Sequence, residues 1–276
     1  MRHLLKNSAR PFYKHLTNKE EKTFNHLYDK YAATPRYKLY KDVSFLNYKC
    51  DIPDLLSFIW QFKEIFVDEI YCFETIDNPT PVIFDCGANI GVGCLYFKKL
   101  YPKSRVIAFE ADPNIAMHLR NNMQNNKMQD VAIIAKAVWT DDKGISFMSD
   151  GADGGSVLVE TQDSSFSSQF IDSIRLKDWL DKEEKIDLLK IDIEGAELQI
   201  IEDCQHSLSH IDHIFLEFHA LGENVQSLSK ILDILEQNNF RYYIENIAKR
   251  AKPFVNQGRE QKMDLQLNIF AINRSK

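Results

Sequence analysis

The sequence has no Cys-x-x-Cys pair and an odd number of cysteines, five in 276 residues. That argues against both a disulfide framework and a cysteine-built zinc site, and makes a reducing cytoplasm the expected compartment. No stretch approaches 18 uninterrupted apolar residues, and the opening "MRHLLKNSARPFYKHL" carries positive charge without an apolar core. Neither a membrane span nor a signal peptide is therefore expected. A surplus of positive charge is missing as well: 34 basic against 40 acidic side chains leave a formal net charge of −6, so the electrostatic footprint of a nucleic-acid partner is absent and such partners are disfavoured. No internal repeat is apparent. What is present is 44% hydrophobic residues, enough to fill one sizeable α/β core with an appendage.

Residues 1–80 differ in texture from the rest, being rich in Lys, Tyr and Phe. In "DIPDLLSFIWQFKEIF" the residues Leu55, Ile59, Phe62 and Phe66 recur at three and four, with Asp51 and Pro53 as the helix start, which reads as a helical N-terminal extension. Across residues 81–276, short apolar runs alternate with amphipathic segments, the pattern of βαβ units around a mostly parallel sheet. Strands are expected at 82–85, 105–110, 131–138, 187–192, 212–218, 240–245 and 264–272, with helices near 90–100, 113–126, 195–209 and 224–238. "DPNIAMHLRNNM" supplies its own start, Asp112 as N-cap and Pro113 at the first helical position. "DLQLNIFAIN" follows the strand before it without room for an obvious crossover helix, so the last strand is expected to return antiparallel.

Glycine is sparse, ten in all, yet three fall within "VIFDCGANIGVG", residues 82–93. An apolar run there ends on Asp85 and opens into Gly87-Ala88-Asn89-Ile90-Gly91, and in open α/β sheets the turn after such a strand is a ligand cradle. A dinucleotide fingerprint needs glycines at 87, 89 and 92, and the chain has Gly87, Asn89 and Val92. Asp85 at the strand end suits a cationic amine better than a pyrophosphate, because two anions in one low-dielectric turn repel. Further on, "VIAFEAD" sets Glu110 at the end of the next strand, where a carboxylate can accept from both hydroxyls of a ribose. An amino-acid headgroup and a ribose together describe S-adenosylmethionine.

"FDCGANIG", "FEADP", "LLKIDIEGAE" and "FLEFH", in this order and at these intervals, resemble the FkbM-type family of S-adenosylmethionine-dependent methyltransferases over about residues 65–245. The resemblance implies a Rossmann-like class I methyltransferase domain over residues 81–276, with a seven-stranded, mostly parallel sheet whose last strand is antiparallel. It further implies O-methylation of a hydroxyl on a sugar or secondary metabolite, such as a sugar of glycan or polysaccharide biosynthesis, and sets Asp85, Gly87, Asn89, Gly91 and Glu110 on the cofactor motif. Ala111 departs from the proline common in the family after that Glu. Cys86 replaces a β-branched aliphatic, for which a small buried thiol is an adequate substitute.

Two more strands end in polar residues, "KIDIEGAE" and "LEFHALGE", bringing Asp192, Glu194, Glu217 and His219 to the cofactor's sheet edge, with 192 and 194 sharing a side, as 217 and 219 do. Methyl transfer mostly requires alignment of the acceptor, a term that reaches roughly 7–11 kcal/mol, but an alcohol must also lose a proton. His219 is the first choice of general base, with Glu217 orienting its ring; Asp192 is the rival, and Glu194 is assigned to the substrate. The same four residues could instead hold Mg²⁺. Glu197 is read as a helix-dipole residue, and Lys190 as the partner of a nearby carboxylate. "NIAKRAKPFVNQGREQK", with Arg250 and Lys252, is either a solvated hairpin or a receiver of a phosphorylated or nucleotide-linked sugar. Tyr71 is assigned to the cofactor, and the Gly/Ser-rich loop at 150–169 is expected over the site. Two other classes stay open: an NAD(P)-linked sugar reductase or epimerase, for which "YKLYK" has the bare Tyr-x-x-x-Lys spacing ahead of the first nucleotide-binding strand, and a non-catalytic module that binds the same cofactor. The oligomeric state is not legible.

Overall fold

The computed structural model describes residues 18–148, 156–157, 168–221, 227–247, 251–252, 254–255 and 263–275. The backbone divides into two compact units, Met1–Cys72 and Phe73–Lys276.

In the first unit, α1 (Lys19–Tyr31) is followed by a hairpin of β1 (Tyr40–Phe45) and β2 (Tyr48–Ile52), then by α2 (Leu55–Phe62), which runs into a π turn at Lys63–Val67. Leu55, Ile59, Phe62 and Phe66 are all buried, as their spacing requires. The hairpin is an addition to the expected helices, and it moves the helix start. Asp51 belongs to β2, where its side chain accepts from Asp42 N, and Asp54 caps α2 by accepting from Leu56 N at 3.0 Å and Ser57 N at 3.4 Å. Phe45 of the hairpin packs its ring 4.9 Å from Phe58 and 5.6 Å from Phe62, closing a small aromatic core.

The second unit runs β3 (Val82–Cys86), α3 (Val92–Leu100), β4 (Arg105–Phe109), α4 (Pro113–Asn125), β5 (Ala132–Ile134), β6 (Ala137–Trp139), β7 (Ile145–Met148), β8 (Ser156–Val157), β9 (Ser168–Ile171), β10 (Ser173–Arg175), α5 (Leu176–Leu180), β11 (Ile186–Ile191), α6 (Glu197–Cys204), β12 (Ile211–Leu221), α7 (Leu228–Gln237), β13 (Phe240–Asn246) and β14 (Met263–Asn273). Its seven-stranded sheet has the order β13-β14-β12-β11-β3-β4-β5, and β14 runs antiparallel to both neighbours. This is the class I methyltransferase architecture expected, with its reversed strand. All six residues of β11 are buried, as a central parallel strand covered on both faces demands.

Cross-strand partners share a face. The register Asp85↔Lys190↔Phe215 therefore aligns Asp85, Lys190, Phe215, Glu217 and His219 on one face. The alternate residues Leu189, Leu216 and Ile269 join Ile200, Ile201 and Leu235 of α6 and α7 in a core on the other. One expected strand is split. β5 ends at Ile134, whose carbonyl accepts from Glu110 N and turns back to Lys136 N, and β6 leaves the main sheet to pair with β10.

Candidate active site

The turn after β3 is shaped by one close approach. Gly87 has φ +82°, and a Cβ there would lie 1.8 Å from the Asp192 carbonyl oxygen, so only glycine lets the turn pass the end of β11. Gly87 N and Ala88 N donate to Phe109 O at 3.0 and 2.9 Å, and Lys190 Nζ donates to Gly87 O at 2.6 Å. The same ammonium lies 3.4 Å from Asp85 Oδ1 and 3.4 Å from Asp192 Oδ2, which places Lys190 between carboxylates as expected. Cys94 Sγ donates to Asp85 Oδ2 at 3.4 Å. With 2% of its side chain exposed and both oxygens engaged, Asp85 anchors the turn from beneath.

Glu110 ties this turn to β4. Its Oε2 accepts from Asn89 N at 2.8 Å and its Oε1 from Asp112 N at 2.9 Å, while Asp112 itself caps α4. Burial pushes the Glu110 carboxyl up to about 7, against the pull of those two amides. Each oxygen keeps a second lone pair for a ligand.

On the neighbouring strand ends, His219 Nδ1 lies 3.0 Å from Glu197 Oε1, which also accepts from Gly195 N at 2.9 Å. Glu197 lies in the first turn of α6, as read from its position, and is also the carboxylate that orients the ring. It is missed in the sequence because it reaches His219 only when α6 folds back over β12. Glu217, the expected orienter, instead accepts from Gln266 Nε2. Its Oε1 stands 3.4 Å from His219 Nε2, with Glu194 Oε2 at 3.6 Å, both too long for a good hydrogen bond.

Burial alone lowers the imidazole pKa, but the bond to Glu197 and the carboxylates of Glu217 and Glu194 outweigh it and push the ring up to about 12. Burial raises Asp192 to about 6 and Glu194 to about 8, and on Glu217 it is outweighed by His219 and Gln266, which leave that carboxyl lowered. The carboxylates around the ring thus favour its protonated form. Of the two residues expected to compete as general base, that shift weighs against His219 and for Asp192. Asp192, Glu194 and Glu217 have side chains 24%, 29% and 16% exposed, against 1% for His219.

A family model, the methyltransferase FkbM domain, matches residues 85–242. The chain belongs to the FkbM methyltransferase family. Its relatives include the 2-O-methyltransferase NoeI of Sinorhizobium fredii, 30% identical over 179 residues that cover 58% of this chain and 73% of that protein. Methyltransferase 1 of Beauveria bassiana is 25% identical over 207 residues, 66% of this chain and 81% of that one. Among solved structures, methyltransferase FkbM from Methylobacillus flagellatus KT is 16% identical with a TM-score of 0.44, covering 74% of this chain and 46% of that chain.

The FkbM match runs from Asp85 to Tyr242, so it takes in the glycine turn, Glu110 and the acidic strand ends but stops short of β14. That strand adds two polar residues the sequence reading passed over. Gln266 pairs in register with His219 and Asn268 with Glu217, so both lie on the site's face, and Asn268 Oδ1 is buried without a hydrogen-bond partner. Their signal is the alternation in "LQLNI" against Leu267 and Ile269. Of the other expected residues, Tyr71 is buried within the first unit, Lys252 is exposed, and Arg250 lies outside the described residues, as does most of the 150–169 loop. Among the described residues no helix of this FkbM methyltransferase is long and apolar enough to cross a membrane.

Proposed function

We propose that this chain is an S-adenosylmethionine-dependent O-methyltransferase acting in the cytoplasm on a hydroxyl of a small molecule, a sugar or nucleotide-linked sugar of glycan or polysaccharide biosynthesis. The observation that carries the reading is Glu110: it is held by the Asn89 and Asp112 amides beside the glycine turn, with an acidic cluster on the adjoining strand ends. The residues present fit the cofactor. Glycine at 87 lets the turn lie close against the end of β11, Glu110 has lone pairs for the two ribose hydroxyls, and Tyr71 is a further contact in this proposal. When bound, the cofactor supplies a methyl group already activated on a sulfonium.

The chain's own part is to seat the acceptor hydroxyl among Asp192, Glu194 and Glu217 and to pass its proton to a carboxylate oxygen there. A 2-O-methyltransferase among the relatives supports an oxygen acceptor, and five free cysteines suit a reducing compartment. Arg250 and Lys252 would meet a phosphate on the acceptor. Isothermal titration decides the cofactor: S-adenosylmethionine should bind one per chain and NADH should not, and Glu110→Ala should weaken the binding at least about tenfold, the equivalent of one hydrogen bond to a charged group. Binding of NADH alone would overturn the reading.

A further inference from the structure

We propose that Asp192, Glu194 and His219 form a site for one first-row divalent cation of the Mn²⁺ kind. One carboxylate oxygen from each acid and one ring nitrogen of His219 all lie within 4.8 Å of one another. Ligands set about 2.1–2.2 Å from a shared octahedral ion stand roughly 3.0–4.4 Å apart, so the spread needs little adjustment to close on an ion.

A second observation is independent of the acidic count. His219 Nε2 is enclosed and has no hydrogen-bond partner, and the side chain is 1% exposed. The ring has one direction available, because Nδ1 is fixed by Glu197, itself held by the Gly195 amide. A carboxylate behind one imidazole nitrogen, with the other aimed at acids, is how metal-binding histidines are held. Nε2 faces Glu217 and Glu194 at 3.4 and 3.6 Å, distances too long for hydrogen bonds but natural between atoms that share a cation. Gln266 engages Glu217 from β14, and Glu217 stands outside the ligand triple.

The donor set also selects the ion. Two carboxylates with an imidazole suit Mn²⁺ or a neighbouring first-row metal, whereas Mg²⁺ prefers oxygen ligands throughout. Four carboxylates, Asp192, Glu194, Glu197 and Glu217, gather around one ring, and Lys190 stands 3.4 Å from Asp192. A dication offsets this excess in a poorly solvated place. Its role rests on the methyltransferase reading: it binds the acceptor hydroxyl and makes its proton easier to remove.

The test uses the full chain, stripped with chelator and titrated with MnCl₂, while electron paramagnetic resonance reads the loss of free Mn²⁺ signal. One equivalent should bind. Glu194→Gln, at a partly exposed position that leaves the core intact, should weaken binding at least about tenfold, and Glu197→Gln by roughly 10–100-fold through the ring it orients. His219→Ala should abolish binding, with circular dichroism checking its fold. No Mn²⁺ uptake up to millimolar concentration, or equal uptake by wild type and Glu194→Gln, overturns the proposal. Titration with S-adenosylmethionine alongside separates the two readings: cofactor binding without Mn²⁺ binding removes the metal and leaves the methyltransferase, and the converse removes the methyltransferase assignment and leaves the site.

Discussion

Gly87→Ala is the sharpest single test of how the donor turn is built. The added Cβ would sit 1.8 Å from the Asp192 carbonyl oxygen and 3.0 Å from its carbon, and backbone atoms cannot step aside as a flexible side chain can. The residue would also hold φ +82° with a side chain, a conformation costing about 1–2 kcal/mol. Relief has two routes. If the turn lifts, it lengthens the Gly87 N to Phe109 O bond of 3.0 Å and the Lys190 to Gly87 bond of 2.6 Å, each worth about 0.5–3 kcal/mol. If the end of β11 retreats instead, Asp192 moves with it.

Either way the loss is about 2–5 kcal/mol, from a domain total of about 5–15 kcal/mol. For a unit of this size that lowers Tm by roughly 4–20 °C. Differential scanning fluorimetry reads the shift, and calorimetric titration reads S-adenosylmethionine affinity, expected to fall at least about tenfold because a displaced turn no longer holds Glu110 in place through the Asn89 amide. A variant that melts within about one degree of wild type and binds the cofactor equally well would show that the turn does not pass β11 as described.

Two further predictions follow from buried carboxylates. Glu110 has a folded pKa pushed up to about 7 from an ordinary 4.5, so the native state binds more protons than the unfolded chain between those values, and stability falls as pH rises through that window. Glu110→Gln should flatten that slope, and urea midpoints at pH 5 and pH 8 check it; an unchanged difference would mean the carboxyl titrates normally. In the first unit, Asp54→Ala removes the α2 cap and the partner of Arg36, at a cost of about 1–3 kcal/mol, measurable in urea by the fluorescence of Trp60 on the same helix.

The strands that build the site were legible because β3, β4, β11 and β12 are short apolar runs ending in polar residues. The mostly parallel character of the sheet followed from the alternation with helices. The shared face of Glu217 and His219 is likewise a consequence of strand alternation alone. Contacts that depend on how elements stack were not legible. Lys190 meets Asp85 only because of the parallel register Lys190↔Asp85, and Glu197 meets His219 only because α6 folds back. Those two contacts set the surroundings of Asp85 and help to raise the pKa of the His219 ring. The hairpin β1–β2 escaped notice because Asp42, at φ 58°, interrupts the regularity of a strand only six residues long. The break between β5 and β6 hinges on one carbonyl serving two amides, which no residue type announces.

The antiparallel β14 has a consequence for how the protein is made. It is the last of the seven strands in the chain, yet it lies inside the sheet between β12 and β13. On the ribosome, β12 and β13 emerge first, and each must wait with a bare edge for the same late partner. The nascent sheet is therefore a template with one slot open, exposed to any other extended chain until Met263–Asn273 is released to fill it.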